Sequence, residues 1–470
     1  MLLSEILNEN EDWAETEFGS AELGDSRRTA RLVELARQLG SQPAASLPQA
    51  CSDEAMLKGA YRFFSNEAIS PPILLESHIE ATHLRCQKVP LVLAPQDTTY
   101  LDWTHHPATT GLGPLVSEKQ QGLVVHNTLA LTPERVPLGL LRQEVWARDA
   151  ETFAKKEDQR KRPINEKESQ KWLNGLEAVN RASIACPDTH FVCMGDRESD
   201  LYDLFVAKRE ANVGLLVRAA QDRRVEGEHK KVWETVQAAP VVGTVEIKVP
   251  KRGKQAARLA TVALRFCKMT LLPPKHRSSE KLKAVTLTAV LAQETEPPAE
   301  VEKLEWLLLT TCSVENVEGA LEKVAWYACR WTIEVWHKVL KSGCQIEAKQ
   351  LETREGLERC LSLYSVIAWR ILYSSLLARS VPNAPCTVLL EREEWEALYC
   401  VTHKTPTPPT QPPTLEEAIL WIGQLGGFLA RKGDGKPGVT VLWRGFQRLA
   451  DLTAMYHIMQ PATLSKLTIP

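Results

Sequence analysis

Two apolar runs in this 470-residue chain each end at an aspartate, and they restrict what the middle of the chain can form. The run VPLVLAPQ leads to Asp97, and the run THFVCMG leads to Asp196. Short apolar runs that end in polar residues are typical of β-strands. Between them, residues 169–181 place apolar side chains on one side at helical spacing. We therefore predict a strand-and-helix region in the middle of the chain, with further strands over residues 122–132 and 136–146 and a helix over residues 200–209.

The segment from about residue 225 to residue 311 has a different character. It holds four runs rich in Val, Thr and Leu, with basic residues between them: VVGTVEIKVP, ARLATVALRF, KAVTLTAVLA and LEWLLLTT. Val and Thr are enriched in strands because their branched side chains fit a pleated surface. This segment is therefore predicted to be rich in β-structure.

Helical periodicity characterises both ends of the chain. Near the N-terminus we predict a helix that starts at Asp25 or Ser26 and stops at Gly40, and a second one over residues 53–64. Further helices are predicted over residues 317–379 and over residues 415–459, where the turn KGDGKPG interrupts the helical pattern. Between these two stretches, residues 404–414 read KTPTPPTQPPT. Proline lacks a backbone N–H, so this segment is predicted to be a linker or an extended surface segment.

Charge alone does not identify a partner. The formal net charge is −2, but eight acids and no base precede Arg27, and residues 245–290 carry eleven Lys or Arg against two Glu. Such a basic block could neutralise a polyanion, although a charged stretch is more often an ordinary solvated face. Nucleic acid binding is therefore one of two explanations for this pattern.

Cysteine usage and hydropathy indicate a reducing, soluble environment. The eleven cysteines are odd in number, and no two of them form a C-x-x-C pair. This argues against a disulfide framework and against a structural zinc site. The chain has no run of eighteen apolar residues, and its first residues lack a basic stretch followed by a long apolar one. We predict neither a membrane span nor a secretion signal.

The stretch from residue 322 to residue 343 is predicted to be one amphipathic helix. At a hundred degrees per residue, one stripe holds Tyr327, Arg330, Glu334, Lys338 and Lys341. A separate apolar stripe, which must face a core, holds Trp326, Cys329, Ile333, Trp336 and Leu340. Glu334 is thus expected on a buried, rigid helix with basic groups one turn away. An ordinary surface helix with Glu–Lys pairs shows the same pattern.

A strand aspartate, a second strand aspartate and a helix glutamate form a set that suits phosphoryl transfer. Mg²⁺ and Mn²⁺ prefer oxygen ligands and retain several waters, so a few carboxylates are enough to bind them. Two such ions about 4 Å apart can assist both the attacking and the leaving oxygen of an in-line displacement. For Asp97 or Asp196 taken alone, a turn or helix-cap role is the more common explanation.

The spacing Tyr327-x2-Arg330-x3-Glu334-x6-Lys341 matches the Y-R-E-K signature of a known family. Further matching stretches occur in order along the chain: LGDSRRTARL, GAYRFF, DTT, EKES-x2-WL, DRESD, WLLLT, LGGFL and LWRG. Through this ordered series the chain resembles the insertion-sequence-four group of bacterial DDE transposases. The resemblance runs nearly from end to end.

The resemblance implies a fold class and a domain organisation. It implies an α/β, RNase H-like catalytic core over residues 71–380, with the β-rich segment of about 225–311 inserted before the helix of Glu334. It implies a helical DNA-end-binding domain over residues 1–70, and a helical dimerisation domain over 381–470 that contains the proline-rich segment. Where the family pattern has a strongly basic stretch before the C-terminal domain, this chain has that proline-rich segment instead.

The resemblance also implies a role for each site residue. Asp97, Asp196 and Glu334 would be catalytic and would bind two Mg²⁺ or Mn²⁺ ions per active site. Trp306 would stack on a base flipped out of the duplex. The other implied contacts with the DNA end are made by Tyr327, Arg330 and Lys341 at the phosphates, by Arg27, Arg28 and Arg31 at the end sequence, and by Arg218.

A cut-and-paste reaction on double-stranded DNA follows from the same resemblance. One strand is nicked at each transposon end, the 3′-OH attacks the opposite strand to form a hairpin, the hairpin is opened, and the ends join target DNA. A homodimer in the bacterial cytoplasm, associated with the nucleoid, would do this, with each protomer cutting the end bound mainly by the other. Two alternatives stay open: a catalytically silent DNA-binding regulator of transposition, and an RNase H-like nuclease without strand transfer.

Overall fold

The computed structural model describes residues 12–51, 53–153, 163–249, 258–299 and 301–459. Parts of three predictions lie outside these described residues. Of the eight N-terminal acids, Glu5, Glu9 and Glu11 lie outside, and so do Lys251, Arg252 and Lys254 of the basic block. The predicted terminal domains also extend beyond the described residues, over residues 1–11 and 460–470.

Ten strands form one mixed sheet. In chain order they are β1 Leu91–Asp102, β2 Gly113–Pro114, β3 Gln121–Leu131, β4 Pro137–Trp146, β5 His190–Gly195, β6 Val213–Arg218, β7 Gly243–Val249, β8 Arg258–Leu271, β9 Val285–Glu294 and β10 Glu305–Thr310.

Fifteen α-helices occur among the described residues. Those before and within the sheet region are α1 Trp13–Phe18, α2 Ser26–Ser41, α3 Leu47–Ala50, α4 Glu54–Phe64, α5 Ile73–Cys86, α6 Ala150–Phe153, α7 Gln170–Ala185, α8 Tyr202–Val206 and α9 Val232–Ala238. Those after it are α10 Val317–Cys329, α11 Trp331–Lys338, α12 Arg354–Ser380, α13 Arg392–His403, α14 Leu415–Leu425 and α15 Val439–Met459.

The central part of the sheet has the strand order β4–β3–β1–β5–β6. Strand β3 runs antiparallel to both β1 and β4, whereas β5 and β6 run parallel to β1. Strands β10, β9, β8 and β7 continue the sheet from β6 as antiparallel neighbours. The fold is therefore α/β with an RNase H-like core, as predicted, and the β-rich segment extends the same sheet.

The N-terminal helices agree with the sequence pattern except at one end. Helix α2 has Asp25 as its N-cap, and its carboxylate accepts a hydrogen bond from the backbone N–H of Arg27. Gly40, which we predicted as the stop, lies inside this helix, which continues to Ser41. The ring of Trp13 packs so closely over Gly40 that a Cβ there would lie 2.7 Å from it. Packing against α1 therefore selects this glycine.

Helix α12 is the centre of the helical part of the core. It contacts β4, α4 and α5, and also α14 and α15 of the C-terminal part. Its length and hydropathy would allow it to cross a membrane, but most of its apolar window is buried inside the protein. Helix α12 is therefore a core helix of this fold.

The prediction of one continuous helix over residues 322–343 is wrong. The segment divides at Arg330 into α10 and α11, because the bonds there become tighter: Arg330 N–H donates to the Tyr327 carbonyl, and Ile333 N–H to the Arg330 carbonyl. It ends in a π-helical turn over Val339–Gly343. The predicted apolar stripe is nevertheless buried throughout.

The helix predicted after Asp196, over residues 200–209, is shorter than expected. It covers only Tyr202–Val206, because Asp200 has other partners. The Asp200 carboxylate accepts hydrogen bonds from the backbone N–H groups of Ala220 and Gln221 at 2.7 and 2.6 Å, and it pairs with Arg223. These contacts fix Asp200 outside the helix.

Candidate active site

Asp97 lies in the middle of β1, the central strand of the core. Its Cα pairs across the sheet with Asn127 of β3, and its side chain is 19% exposed. Helix α11 contacts β1 at this level. A carboxylate in this position is held by the sheet and still reachable from solvent.

Asp196 follows directly after β5, the parallel neighbour of β1. The register pairs Pro95 with Met194, so Asp97 and Asp196 stand at the same level two residues further on. The Asp196 side chain accepts a hydrogen bond from the Glu198 N–H at 2.9 Å. Burial raises the pKa of the Asp196 carboxyl; Asp97 raises it further, while Arg330 opposes this rise.

Glu334 reaches the same region from helix α11. Its side chain is 30% exposed and forms an ion pair with Arg330, one turn earlier in the chain. Burial raises the pKa of the Glu334 carboxyl, and here too the negative charge of Asp97 adds to the rise. Since Asp97 perturbs both Asp196 and Glu334, the three predicted acids share one electrostatic environment.

Arg330 stands against two of the three acids. One guanidinium nitrogen, Nη1, lies 3.6 Å from Asp97 Oδ1, and the other, Nη2, pairs with Glu334. Nη1 is buried and has no hydrogen-bond partner among the described residues. Burial by itself would lower the pKa of Arg330, but Tyr327, Asp97 and Glu334 outweigh it and raise the pKa. The guanidinium supplies the positive charge next to these carboxylates.

The donor set suits a hard divalent cation, since three carboxylates offer the oxygen ligands that Mg²⁺ prefers. In the part of the chain that the structure describes, however, no three Asp, Glu, His or Cys side chains are close enough to hold a metal ion together. The acids converge on one region, and Arg330 rather than a closed ligand cluster holds Asp97 and Glu334 there.

Three more predicted residues lie beside the acids. The Tyr327 ring, which is buried, meets the Trp306 ring edge-on, with their centroids 5.5 Å apart. Burial raises the pKa of the Tyr327 hydroxyl, and Arg330 and Arg218 oppose the rise. Burial also lowers the pKa of Arg218, which donates to the carbonyl of Glu305 at 3.2 Å. Tyr327, Trp306 and Arg218 therefore form one aromatic and basic group next to Arg330.

Lys341 contacts strand β1 at a position beyond Asp97. Its ammonium group donates to the carbonyl of Tyr100, three residues beyond Asp97, and it stands 3.7 Å from the carboxylate of Glu347. It extends from the π-helical turn that follows α11. Lys341 is thus fixed on the same helix–strand contact as the acids.

The remaining predicted residues are on helix α2, apart from the acids. The Arg27 side chain is 89% exposed and pairs with Asp25, and Arg28 donates to the carbonyl of Leu23. Arg31 pairs with Glu34 at 2.8 Å. These arginines belong to a second, N-terminal surface.

The sequence pattern missed two residues of the site. His337, on the turn of α11 after Glu334, has its Nδ1 atom 3.5 Å from Asp97 Oδ2. Asn127 lies fully buried on β3, and its side-chain nitrogen is 3.1 Å from His337 Nε2. His337 follows Glu334 by three residues, a spacing that shares a helix face. The polar pair His-Asn within the apolar strand GLVVHNTLALT was the signal for Asn127.

Comparison with known protein families connects this site to a type of protein. Residues 10–69 match the family model for transposase DNA-binding, and residues 366–458 match the model for the transposase Tn5 dimerisation domain. The first match covers α1 to α4, and the second runs from within α12 into α15. In the sequence, the two matches come before and after the strands of the sheet that carries the acids. Together they support a transposase of the Tn5 family that binds DNA and dimerises.

Proposed function

Starting from a DNA transposase with DNA-binding and Tn5-type dimerisation domains, we propose that this chain catalyses cut-and-paste transposition with Asp97, Asp196 and Glu334. Within the family we place it in the insertion-sequence-four group, and it resembles the transposase of composite transposon five. The observation that carries the proposal is the convergence of three acids from β1, the end of β5 and α11, with Asp97 raising the pKa of the other two.

Asp97, Asp196 and Glu334 would hold two Mg²⁺ or Mn²⁺ ions per active site. Bound there, such ions lower the pKa of coordinated water and stabilise charge on the phosphate. The protein's own part is to place the carboxylates on a sheet and a packed helix, so that little reorganisation is needed. Arg330 would exchange its contact with Asp97 and Glu334 for phosphate oxygens of the DNA, since a planar guanidinium binds both.

The neighbouring residues suggest how the DNA end is held. Tyr327, Arg330 and Lys341 would contact phosphates near the cleaved bond, with Arg218 as a further contact. The Trp306 ring meets the Tyr327 ring edge-on, and it could stack on a base turned out of the duplex. Such a flipped base would support the strained hairpin that forms when the 3′-OH attacks the opposite strand.

The proposal extends to the whole assembly. Residues 1–70, with Arg27, Arg28 and Arg31, would bind the inverted-repeat end, and residues 71–380 would cut it. Residues 381–470 would pair two protomers, each acting on the DNA end bound mainly by the other. The released 3′-OH ends would then attack target DNA, in the bacterial cytoplasm at the nucleoid.

Asp97→Ala is the first test. We expect cleavage of cognate DNA ends to fall at least about a hundredfold, in line with the loss of one preorganised charge at a reaction centre. Binding of the ends should stay within about twofold, because Arg27, Arg28 and Arg31 lie on α2. Cleavage and gel retardation of labelled terminal repeats, with and without Mg²⁺, measure the two quantities.

Asp102→Ala is the matched control for this test. It removes an aspartate from the same strand, where the carboxylate accepts from Thr104 rather than facing Arg330. If Asp97→Ala protein cuts ends at the wild-type rate, the assignment of the acids is wrong. If wild-type protein binds ends and never cuts them, the chain is instead a silent regulator of transposition.

Trp306→Ala separates nicking from hairpin formation. We expect nicking to survive and hairpin yield to fall by about five- to a hundredfold, because base–aromatic stacking contributes about 1–3 kcal/mol. Trp306→Phe, which keeps a ring for stacking, should restore most of the yield. Denaturing gels resolve nicked and hairpin products. An unchanged hairpin yield in Trp306→Ala would remove the role proposed for this ring.

A further inference from the structure

A row of polar side chains crosses the sheet at the level of Asp97. The register pairs Asp97 on β1 with Asn127 on β3, and Asn127 with Gln143 on β4. Residues paired in this way point to the same face of a sheet. This face packs against α11, which carries His337, and against α12, which carries Ser365.

The hydrogen bonds along this row run in one direction. Gln143 Nε2 donates to Ser365 Oγ at 2.8 Å and to Asn127 Oδ1 at 2.9 Å. With its oxygen engaged in this way, Asn127 presents its Nδ2 group to His337 Nε2 at 3.1 Å. An amide NH₂ group only donates, so Nε2 is the acceptor and the imidazole hydrogen belongs on Nδ1. That Nδ1–H group faces Asp97 Oδ2 at 3.5 Å.

Burial makes this arrangement rigid. Asn127 is fully buried and His337 nearly so, and the centroid of the Trp336 ring lies 5.2 Å from that of the imidazole. Hydrogen bonds in such a dry environment are stronger than in water, and a buried polar group without a partner is costly. The imidazole orientation is therefore fixed by protein groups behind it, independently of solvent.

The two oxygens of Asp97 have different partners. Oδ1 faces Arg330, which also pairs with Glu334 and belongs to the group that would contact DNA phosphate. Oδ2 faces His337, whose ring is held from behind by Asn127. If Arg330 binds DNA phosphate as proposed, its contact with Asp97 is lost, and the contact between His337 and Asp97 remains.

We infer that His337, oriented by Asn127 and Gln143, is a positioning residue that holds the Asp97 carboxylate ready to bind a divalent cation. This inference rests on the proposed function. Groups of this kind behind a metal-binding carboxylate typically change metal affinity by about 10–100-fold when they are removed.

Three substitutions of His337 provide the test. His337→Phe removes both ring nitrogens, His337→Asn places an N–H group close to the position of Nδ1, and His337→Gln places one close to Nε2. Mn²⁺ affinity is measured by isothermal titration on the protein bound to pre-cut terminal DNA, and the Mg²⁺ dependence of cleavage is measured in parallel. We expect the Mn²⁺ dissociation constant to rise about 10–100-fold in His337→Phe and in His337→Gln. His337→Asn should return it to within a few-fold of the wild-type value.

His126→Phe is the matched control. His126 is the equally buried histidine next to Asn127, but it bonds to Thr98 and Gln96 on the opposite face of the sheet. Its loss should leave Mn²⁺ affinity unchanged, even if the unfolding midpoint falls. DNA-end binding should stay the same in all four variants, since none of these residues lies on α2.

The outcomes separate the inference from the proposed function. Wild-type affinity in His337→Phe, equal affinity in all three His337 variants, or an equal loss in His126→Phe would overturn the positioning role alone. Wild-type protein that binds no Mn²⁺ and cuts no DNA would overturn the proposed function, and this inference with it.

Discussion

Glu17 and Asp97 each face one arginine and one histidine, yet their surroundings differ. Both oxygens of Glu17 are bonded, to Arg85 at 2.7 and 3.2 Å and to His78 at 2.5 Å. Despite complete burial, these partners lower the pKa of Glu17 to about 2. Around Asp97 the corresponding contacts are 3.6 Å to Arg330 and 3.5 Å to the histidine, and the neighbouring acids have raised pKa values.

The first cluster joins parts of the fold. Glu17 belongs to α1, its two partners belong to α5, and both partners also bond to backbone groups of β4: His78 accepts from the Leu140 N–H, and Arg85 donates to the Leu138 carbonyl. Each buried charge there is paired and hydrogen-bonded, as a structural ion cluster requires. In the second cluster the contacts of Asp97 are longer and three acids lie close together, two of them with raised pKa values, which is typical of functional sites.

Removal of Glu17 should have the largest effect on stability. We expect Glu17→Gln to lower the free energy of unfolding by about 3–5 kcal/mol, because the buried Arg85 loses its charged partner. Urea unfolding measures this loss. Cleavage per folded molecule should stay at the wild-type level, since none of these groups touches the acids of the site.

Glu15→Gln is the control for this change. Glu15 lies on the same helix, but it is exposed and stands 3.6 Å from Arg37. Its replacement should change the free energy of unfolding by less than about 1 kcal/mol. A loss below about 1 kcal/mol for Glu17→Gln as well would show that the two clusters do not differ in the way we describe.

Asp196→Asn should have a smaller effect of opposite sign. Asparagine keeps an oxygen that can accept from the Glu198 N–H, but it removes the negative charge that burial and Asp97 make unfavourable. We expect the free energy of unfolding to rise by about 0.5–2 kcal/mol while DNA cleavage is lost, the usual relation between stability and a strained active site. The exposed Asp188, just before β5, provides the control, and Asp188→Asn should change stability by less than about 0.5 kcal/mol.

A destabilised Asp196→Asn protein would contradict this account. It would mean that the Asp196 carboxylate is stabilised by its surroundings, as Glu17 is, and the contrast between the two clusters would disappear. If cleavage is lost but the free energy of unfolding is unchanged, Asp196 is catalytic, but its charge does not destabilise the folded protein as we expect.

Local sequence patterns predicted most of the fold because apolar runs along the chain coincide with buried strands. The strands expected over residues 122–132 and 136–146 are observed at Gln121–Leu131 and Pro137–Trp146. The errors occur where distant contacts decide the backbone. Asp200 leaves its helix for the chain around Ala220, and the π-helical turn after α11 lies where the Trp443 ring packs against Gly343.

The candidate site divides in the same way. Asp97, Asp196 and Glu334 could be selected from sequence, since each has a local context and the family resemblance connects them. His337 and Asn127 could not, because their roles depend on the register between β1 and β3 and on how α11 docks on the sheet. Neither quantity is encoded in the spacing of residues along one segment.

Acid titration gives the finest distinction between the two clusters. A lowered pKa in the folded state means that Glu17 contributes stability above its ordinary value of 4.5, and that this stability is lost as the pH falls through about 2. A raised pKa means the reverse for Asp196: relative to Asp196→Asn, the wild type loses stability as the pH rises through that pKa, and the two proteins are equal below the ordinary value of 3.8.

Urea unfolding of wild type, Glu17→Gln and Asp196→Asn at pH 7, 5 and 4 therefore separates the two effects. Between pH 7 and pH 4, the advantage of Asp196→Asn should shrink, because the raised pKa of the folded wild-type carboxyl favours its protonation before that of the unfolded chain. Over the same interval the deficit of Glu17→Gln should persist, because folded Glu17 remains charged down to about pH 2. If both differences shrank together, the two acids would share one kind of environment, and the assignment of one cluster to structure and the other to ligand binding would fail.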